Sequence, residues 1–185
     1  RDYHRYLGGS PANVAMNCKR LGLNSTMVSA VGNDGFGEYI FKRLEEVGIN
    51  PENTKKLDNK STSVIFVSKS NGTPDFIAYR DADCSISEDQ ITDKMLSQTK
   101  IYHTTCFALS KKPAQTAILN KAEEAFKKGC KLSIDLNYAK ELWNSKEEAL
   151  DIIKTYCKFN PLIKISEDDM LRLFEKELPH QEIFN

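Results

Sequence analysis

The chain lacks an excess of either charge: its 26 basic and 26 acidic residues cancel and are interspersed. The basic footprint of a nucleic-acid binder and the polybasic face of an anionic-membrane binder are therefore both missing. No apolar run approaches the roughly 18 residues of a membrane span, and no apolar signal-peptide core is present. Cysteine is sparse and odd in number (Cys18, Cys84, Cys106, Cys130, Cys157), with no C-x-x-C pair. That speaks against a disulfide framework or a zinc knuckle and fits a reducing cytoplasm. His4, His103 and His180 have no i, i+4 or triad-like context, so a histidine metal site or a Ser–His nucleophile has little support. Repeats, low-complexity stretches and linkers are also missing. What remains is a chain able to bury roughly 70% of its unfolded surface, whose expected partner is a small neutral or mildly charged molecule. It opens on Arg1 rather than methionine, and we expect it to be part of a longer protein.

The elements alternate. Ser10 followed by Pro11 predicts a helix start, with Val14, Cys18 and Leu21 at helical spacing and Gly22 as the stop. Residues 26–31 read as a short buried strand and 36–47 as a helix stopped by Gly48. Two β-rich runs, 63–67 and 76–79, flank Ser70-Asn71-Gly72-Thr73, a strong hairpin signal. Ser87 and Gln90 form a capping-box pattern opening a helix to Ser97. Strand 101–105, helix 113–128, strand 132–135, a helix after Ser145 and Glu148, strand 162–165 and a helix over 168–177 follow. Strands alternating with helices predict an α/β fold with a mostly parallel sheet and helices on both faces, from which the hairpin projects as a lid.

The segment richest in chemistry is Gly8-Gly9-Ser10-Pro11-Ala12-Asn13-Val14-Ala15. Two glycines before a helix let a ligand approach backbone without meeting a Cβ, and the free amides of the first turn donate to its oxygens. Asn13 offers both a donor and an acceptor, as a sugar hydroxyl requires. A loop that merely caps a helix would look similar at this level. Gly32 to Gly37 read G-x-x-G-x-G rather than the dinucleotide fingerprint, and no acidic residue follows at the ribose distance. That run is read as a tight turn with Asp34 capping the next helix.

The run G-G-x-P-x-N-x-A, with Gly22 and Gly32 at their set distances, resembles the first signature of ribokinase-like (PfkB) carbohydrate kinases. Val31-Gly32-Asn33-Asp34-Gly35-Phe36-Gly37 resembles the family's V-G-x-D-x-F-G turn, and the hairpin ending in Tyr79-Arg80 resembles its lid. Asp135-Leu136-Asn137 with Leu142-Trp143 resembles D-x-N-x-R-x-x-L-W, with Ala139 at the arginine position. Ser166 and Asp169 occupy the key places of an N-x-x-E element. The resemblance covers essentially the whole chain.

It implies a ribokinase-like three-layer α/β/α sandwich, mostly parallel, with a small β lid: residues 8–61 and 83–185 as an incomplete core, 1–7 and 62–82 as lid strands. It implies substrate contacts from Gly8, Gly9, Asn13, Tyr79, Arg80, Asp135 and Asn137, phosphate contacts from Asn137, Lys164 and Ser166, and Asp169 acting on Mg²⁺. Trp143 and the three histidines are expected to be structural or at the surface. The implied activity is transfer of the γ-phosphate of ATP to a sugar hydroxyl, with fructose the preferred acceptor. Alternatives are 2-keto-3-deoxygluconate, against which Ala139 counts because a carboxylate would lose its arginine, and a catalytically silent sugar binder. The family's base lies in a C-terminal G-x-G-D segment not found here, so no catalytic residue is assigned and the chain alone is expected to be inactive. A cytoplasmic homodimer formed through the lid completes the expectation.

Overall fold

The computed structural model describes residues 3–67 and 76–175. They form two compact units, one up to Ile91 and the other from Thr92.

The first unit begins with helix α1 (Ser10–Arg20), strand β1 (Ser29–Gly32), helix α2 (Gly35–Glu46) and strand β2 (Thr54–Leu57). β1 and β2 pair in parallel, Ser29 opposite Thr54 through Gly32 opposite Leu57. The crossover carried by α2 is what a parallel pair demands. β2 had no counterpart in the sequence reading: Lys55 and Lys56 break its apolar pattern. Lys55 is tied to Asp89 and Ser87, and Lys56 to Glu38 on α2. The strand expected at 26–31 begins later, at Ser29.

In α1 the residue preceding the helix is Gly9, and Ser10 is already helical. The buried positions are Ala12, Ala15 and Met16, whereas Val14 and Leu21 are exposed, so the inward face lies about 0.4 of a turn from the expected stripe. Ala15 and Met16 pack with Leu44 of α2 and Ile49, with Leu7, Met27, Ile40 and Val47 around them. The helix expected from Ser87 to Ser97 is two pieces: a 3₁₀ turn, Glu88–Gln90, carrying the expected capping box, and helix α3 (Asp93–Gln98), capped by Thr92. The break has a cause. Gln90 is buried, and its amide donates to the Ser29 carbonyl at 2.7 Å and the Asn53 carbonyl at 2.9 Å, closing the entry of β1 and β2.

Strands β3 (Val64–Val67) and β4 (Phe76–Tyr79) form the expected antiparallel ribbon, Val64 opposite Tyr79. The turn proposed at 70–73 lies outside the described residues. Phe66 and Tyr79 stack edge-to-face at 5.9 Å, and Phe66 meets Tyr3 at 5.8 Å.

The second unit is a three-stranded parallel sheet in the order β5 (Ile101–Thr105), β6 (Lys131–Asp135), β7 (Leu162–Lys164). Helices α4 (Ala114–Lys127) and α5 (Lys146–Cys157) cross between them, and α6 (Glu167–Phe174) follows. α4 buries Ala114, Ala117, Ile118, Ala122 and Ala125, a small-residue stripe that allows close approach. The Tyr102 hydroxyl donates to the Ile118 carbonyl, and the fully buried Tyr156 hydroxyl contacts the carbonyls of Ser133 and Tyr102. Burial pushes both phenols well above the usual tyrosine value. No helix among the described residues is long and apolar enough to cross a membrane.

Candidate functional site

In the first unit, Gly8, Gly9 and Asn13 are exposed together where the chain enters α1. Gly9 has φ +94°, a backbone state that strains any side chain, and no atom would meet a Cβ at Gly8 or Gly9. The glycines therefore leave open backbone rather than fill a packed corner. The Asn13 amide closes the first helical turn onto the Gly9 carbonyl at 3.0 Å, which fixes the asparagine one turn inside this open corner.

Gly32 and Gly37 do the opposite. A Cβ on Gly37 would lie 2.1 Å from the Gly32 carbonyl oxygen, and one on Gly32 would meet the Lys60 carbonyl and the Thr62 amide within 2.6 Å. This tight turn brings the Asp34 carboxylate to two segments at once. It caps α2 by accepting from Phe36 N and Gly37 N, as expected, and it also accepts from Thr62 N and Thr62 Oγ1, both at 2.8 Å. Burial raises the Asp34 carboxyl, but these four donors outweigh it and hold the group below the usual aspartate value. Thr62 is the residue from which β3 departs, so this turn is the root of the hairpin.

At the other end of the hairpin, Tyr79 is exposed and Arg80 is not: its side chain is 7% exposed and paired with Asp83 through Nε at 2.9 Å and Nη2. Arg80 is fixed by Asp83, which Ser63 holds in turn; these two residues carried no motif and were missed.

In the second unit the carboxyl ends of three parallel strands gather the remaining candidates, where open parallel sheets present ligand sites. Asp135 ends β6, and Lys164 of β7 reaches it at 2.9 Å. Asn137 follows in a left-handed conformation with φ 32°, exposed. The turn that displays it is held from beneath: Leu136 N donates to the Lys164 carbonyl, Tyr138 N to Asp169 Oδ1 at 2.8 Å, and Arg172 to the Tyr138 carbonyl. Ser166 caps α6 and forms a full capping box with Asp169. Asp169 itself is 3% exposed, one oxygen on Tyr138 N and the other accepting Ser166 N and Oγ.

Asp169 is a buried brace for the Asn137 turn, with both oxygens accepting from protein donors. Among the described residues no group of three or more His, Cys, Asp or Glu side chains could hold a metal ion. Lys164 and Asn137, a cation and an amide at the same strand ends, fit a phosphate. Trp143 is buried, as expected of a packing residue, and buried Cys106 has its thiol pushed up to about 12 by burial, with Asp169 adding to the rise. His103 is half-buried, its Nδ1 3.1 Å from Ser133 Oγ, and burial lowers its pKa. His180 lies outside the described residues.

The profile of the pfkB family carbohydrate kinases matches residues 1–183. The chain belongs to the pfkB carbohydrate kinase family. An ATP-dependent 6-phosphofructokinase of Thermoanaerobacterium thermosaccharolyticum is 36% identical over 181 residues, 98% of this chain and 56% of that protein. A probable fructokinase of Arabidopsis thaliana is 32% identical, over 88% of this chain and 51% of that protein. The solved structure of Halothermothrix orenii fructokinase superposes with a TM-score of 0.88 at 32% identity, covering 100% of this chain and 66% of that one. An uncharacterized sugar kinase of Pyrococcus horikoshii gives 0.87 at 28%, over 95% and 58%, and it has also been solved in complex with ATP. The fold is thus the ribokinase-like α/β fold of pfkB sugar kinases. The chain spans just over half the length of the curated relatives it matches.

Proposed function

We propose that the protein of which this chain is part is an ATP-dependent sugar kinase that transfers the γ-phosphate to a hydroxyl of fructose. The observation that carries this reading is the open backbone of Gly8 and Gly9 with Asn13 one turn in, standing in a chain that matches the pfkB profile from end to end. In this proposal Gly8, Gly9, Asn13, Tyr79 and Arg80 serve the sugar. Asp135 and Asn137 serve the substrate and the transferred phosphate, and Lys164 and Ser166 the nucleotide's phosphates. Phosphoryl transfer rests on positioning and charge stabilisation, which amides and a lysine at strand ends supply. Mg²⁺ is proposed to arrive with ATP, since it is commonly held by substrate phosphates and few protein oxygens. Asp169 then acts at one remove, through the turn it braces.

A second acceptor, fructose 6-phosphate, is favoured by the 36% identity to a 6-phosphofructokinase. 2-Keto-3-deoxygluconate stands behind both, because Ala139 is small and buried where an arginine would meet a carboxylate. We further propose a cytoplasmic homodimer through the β3–β4 ribbon. Its support is a two-stranded sheet with exposed apolar residues on both faces, Phe66, Ile77 and Tyr79 on one and Ile65 and Val67 on the other. The five free cysteines fit that compartment.

The test is sugar-dependent ADP release by the full-length protein with Mg·ATP on fructose, fructose 6-phosphate, 2-keto-3-deoxygluconate and ribose. Fructose is expected to give the highest kcat/KM. Stimulation by none of the four, with folded protein, would overturn the kinase reading and leave a silent sugar binder.

A further inference from the structure

The β3–β4 ribbon joins its unit through residues 60–63 and 80–83, and side chains cross-link the two segments. Asp81 accepts from Lys60 Nζ at 2.7 Å and Ser61 N at 2.8 Å. Ser63 Oγ accepts from Asp81 N at 2.8 Å and donates to Asp83 Oδ1. Asp83 Oδ2 takes Arg80 through both Nε and Nη2. Arg80 is 7% and Asp83 25% exposed on their side chains, so this pair is shielded in a way the Lys60–Asp81 pair, 38% exposed on each side, is not.

A guanidinium this deep needs a carboxylate partner, and its planar fork, held along one edge, cannot swing. Asp83 grips Arg80 with one oxygen and the departing β3 segment, through Ser63, with the other. We propose that Asp83 is a positioning residue: it sets the direction of Arg80 and, through Ser63, the angle at which the ribbon leaves the body, so that sugar affinity depends on Asp83 without Asp83 touching sugar. This rests on the sugar-kinase reading for its kinetic consequence and not for its structural one.

The experiment compares D83N, R80A and the double variant in the full-length protein, by sugar and ATP kinetics and by hydrogen-exchange protection of the β3 and β4 amides. D83N is expected to raise the sugar KM about 10-fold with kcat held within about threefold, and R80A to do the same. The double variant should be no worse than R80A, because the two residues act as one unit. Ladder protection should fall about 10-fold in D83N. A sugar KM in D83N within about twofold of wild type, or single effects that multiply in the double variant, would overturn the proposal. If the wild-type protein phosphorylates no sugar, the kinase reading fails by itself and ladder protection decides: unchanged protection in D83N overturns the positioning role, and a loss shared by R80A and not deepened in the double variant supports it. Should D83N not fold, S63A, which removes one hydroxyl, carries the same comparison with a smaller expected loss of about threefold.

Discussion

Removing the Asp34 carboxylate tests how the hairpin root is held. In D34A the α2 cap disappears, which costs about 1 kcal/mol. The Thr62 amide and hydroxyl lose their acceptor in a partly buried place, adding about 1–3 kcal/mol. The sum, about 2–4 kcal/mol, corresponds to a melting-point loss of about 5–15 °C for a protein of this size. The same carboxylate gives the loss a pH signature. Its pKa is depressed in the fold, so its stabilisation is complete above the ordinary aspartate value of 3.8 and is lost as pH falls through the lower folded value. The gap between the thermal melts of wild type and D34A, followed by circular dichroism between about pH 7 and pH 3, should narrow toward the acid end. A difference under about 0.5 kcal/mol at neutral pH would refute the reasoning, since that is the scale of an unremarkable surface change. So would a gap that stays constant through the acid range.

Other substitutions separate architecture from chemistry. Gly9→Ala puts a Cβ at φ +94° with open space around it; it should cost only about 1–2 kcal/mol while raising the sugar KM of the full-length enzyme, read by paired melts and kinetics. Lys164→Gln, which removes the cation paired with Asp135, should cost no more than about 1 kcal/mol of stability and raise the KM for ATP. Asp169→Ala strips the Tyr138 amide and the α6 cap of their acceptor and should lose about 2–4 kcal/mol in urea titration, with activity falling through the displaced Asn137 turn. Leu44→Ala, at 1% exposure in the first unit's core, should lose about 2–5 kcal/mol with no change in KM for the folded fraction.

Sequence reading recovered what local rules encode. β5 appeared with its observed bounds, and α2, α4 and β6 within a residue of theirs, because apolar periodicity and flanking breakers agree there. The α2 cap on Asp34 was legible for the same reason. What escaped depends on tertiary partners. β2 is a strand only because its lysines find anions elsewhere in the unit. The Ser87 helix is cut because Gln90 turns inward to two strand carbonyls. α1 rotates because Ala15 and Met16 fit against Leu44 and Ile49 better than Val14 and Leu21 would. The glycine and aspartate motif announced a tight turn and a helix cap, but not that the same turn holds the hairpin root, because Thr62, Ser63 and Asp83, which make that connection, are ordinary residues in ordinary spacing.

Two hydrogen-bonded phenols of the second unit give it an optical reporter of its own. Tyr156 is buried and Tyr102 partly so, and both hydroxyls are hydrogen-bonded to main-chain carbonyls, so neither yields its proton near the ordinary value of 10.0 while the unit is folded. An unfolded chain ionises both there, which means that folding stability contributed by the neutral phenols is intact below pH 10.0 and drains away as alkalinity rises above it. The ultraviolet tyrosinate band of this protein should therefore include a late step in alkali, well above pH 10.0, that marks the moment the second unit opens.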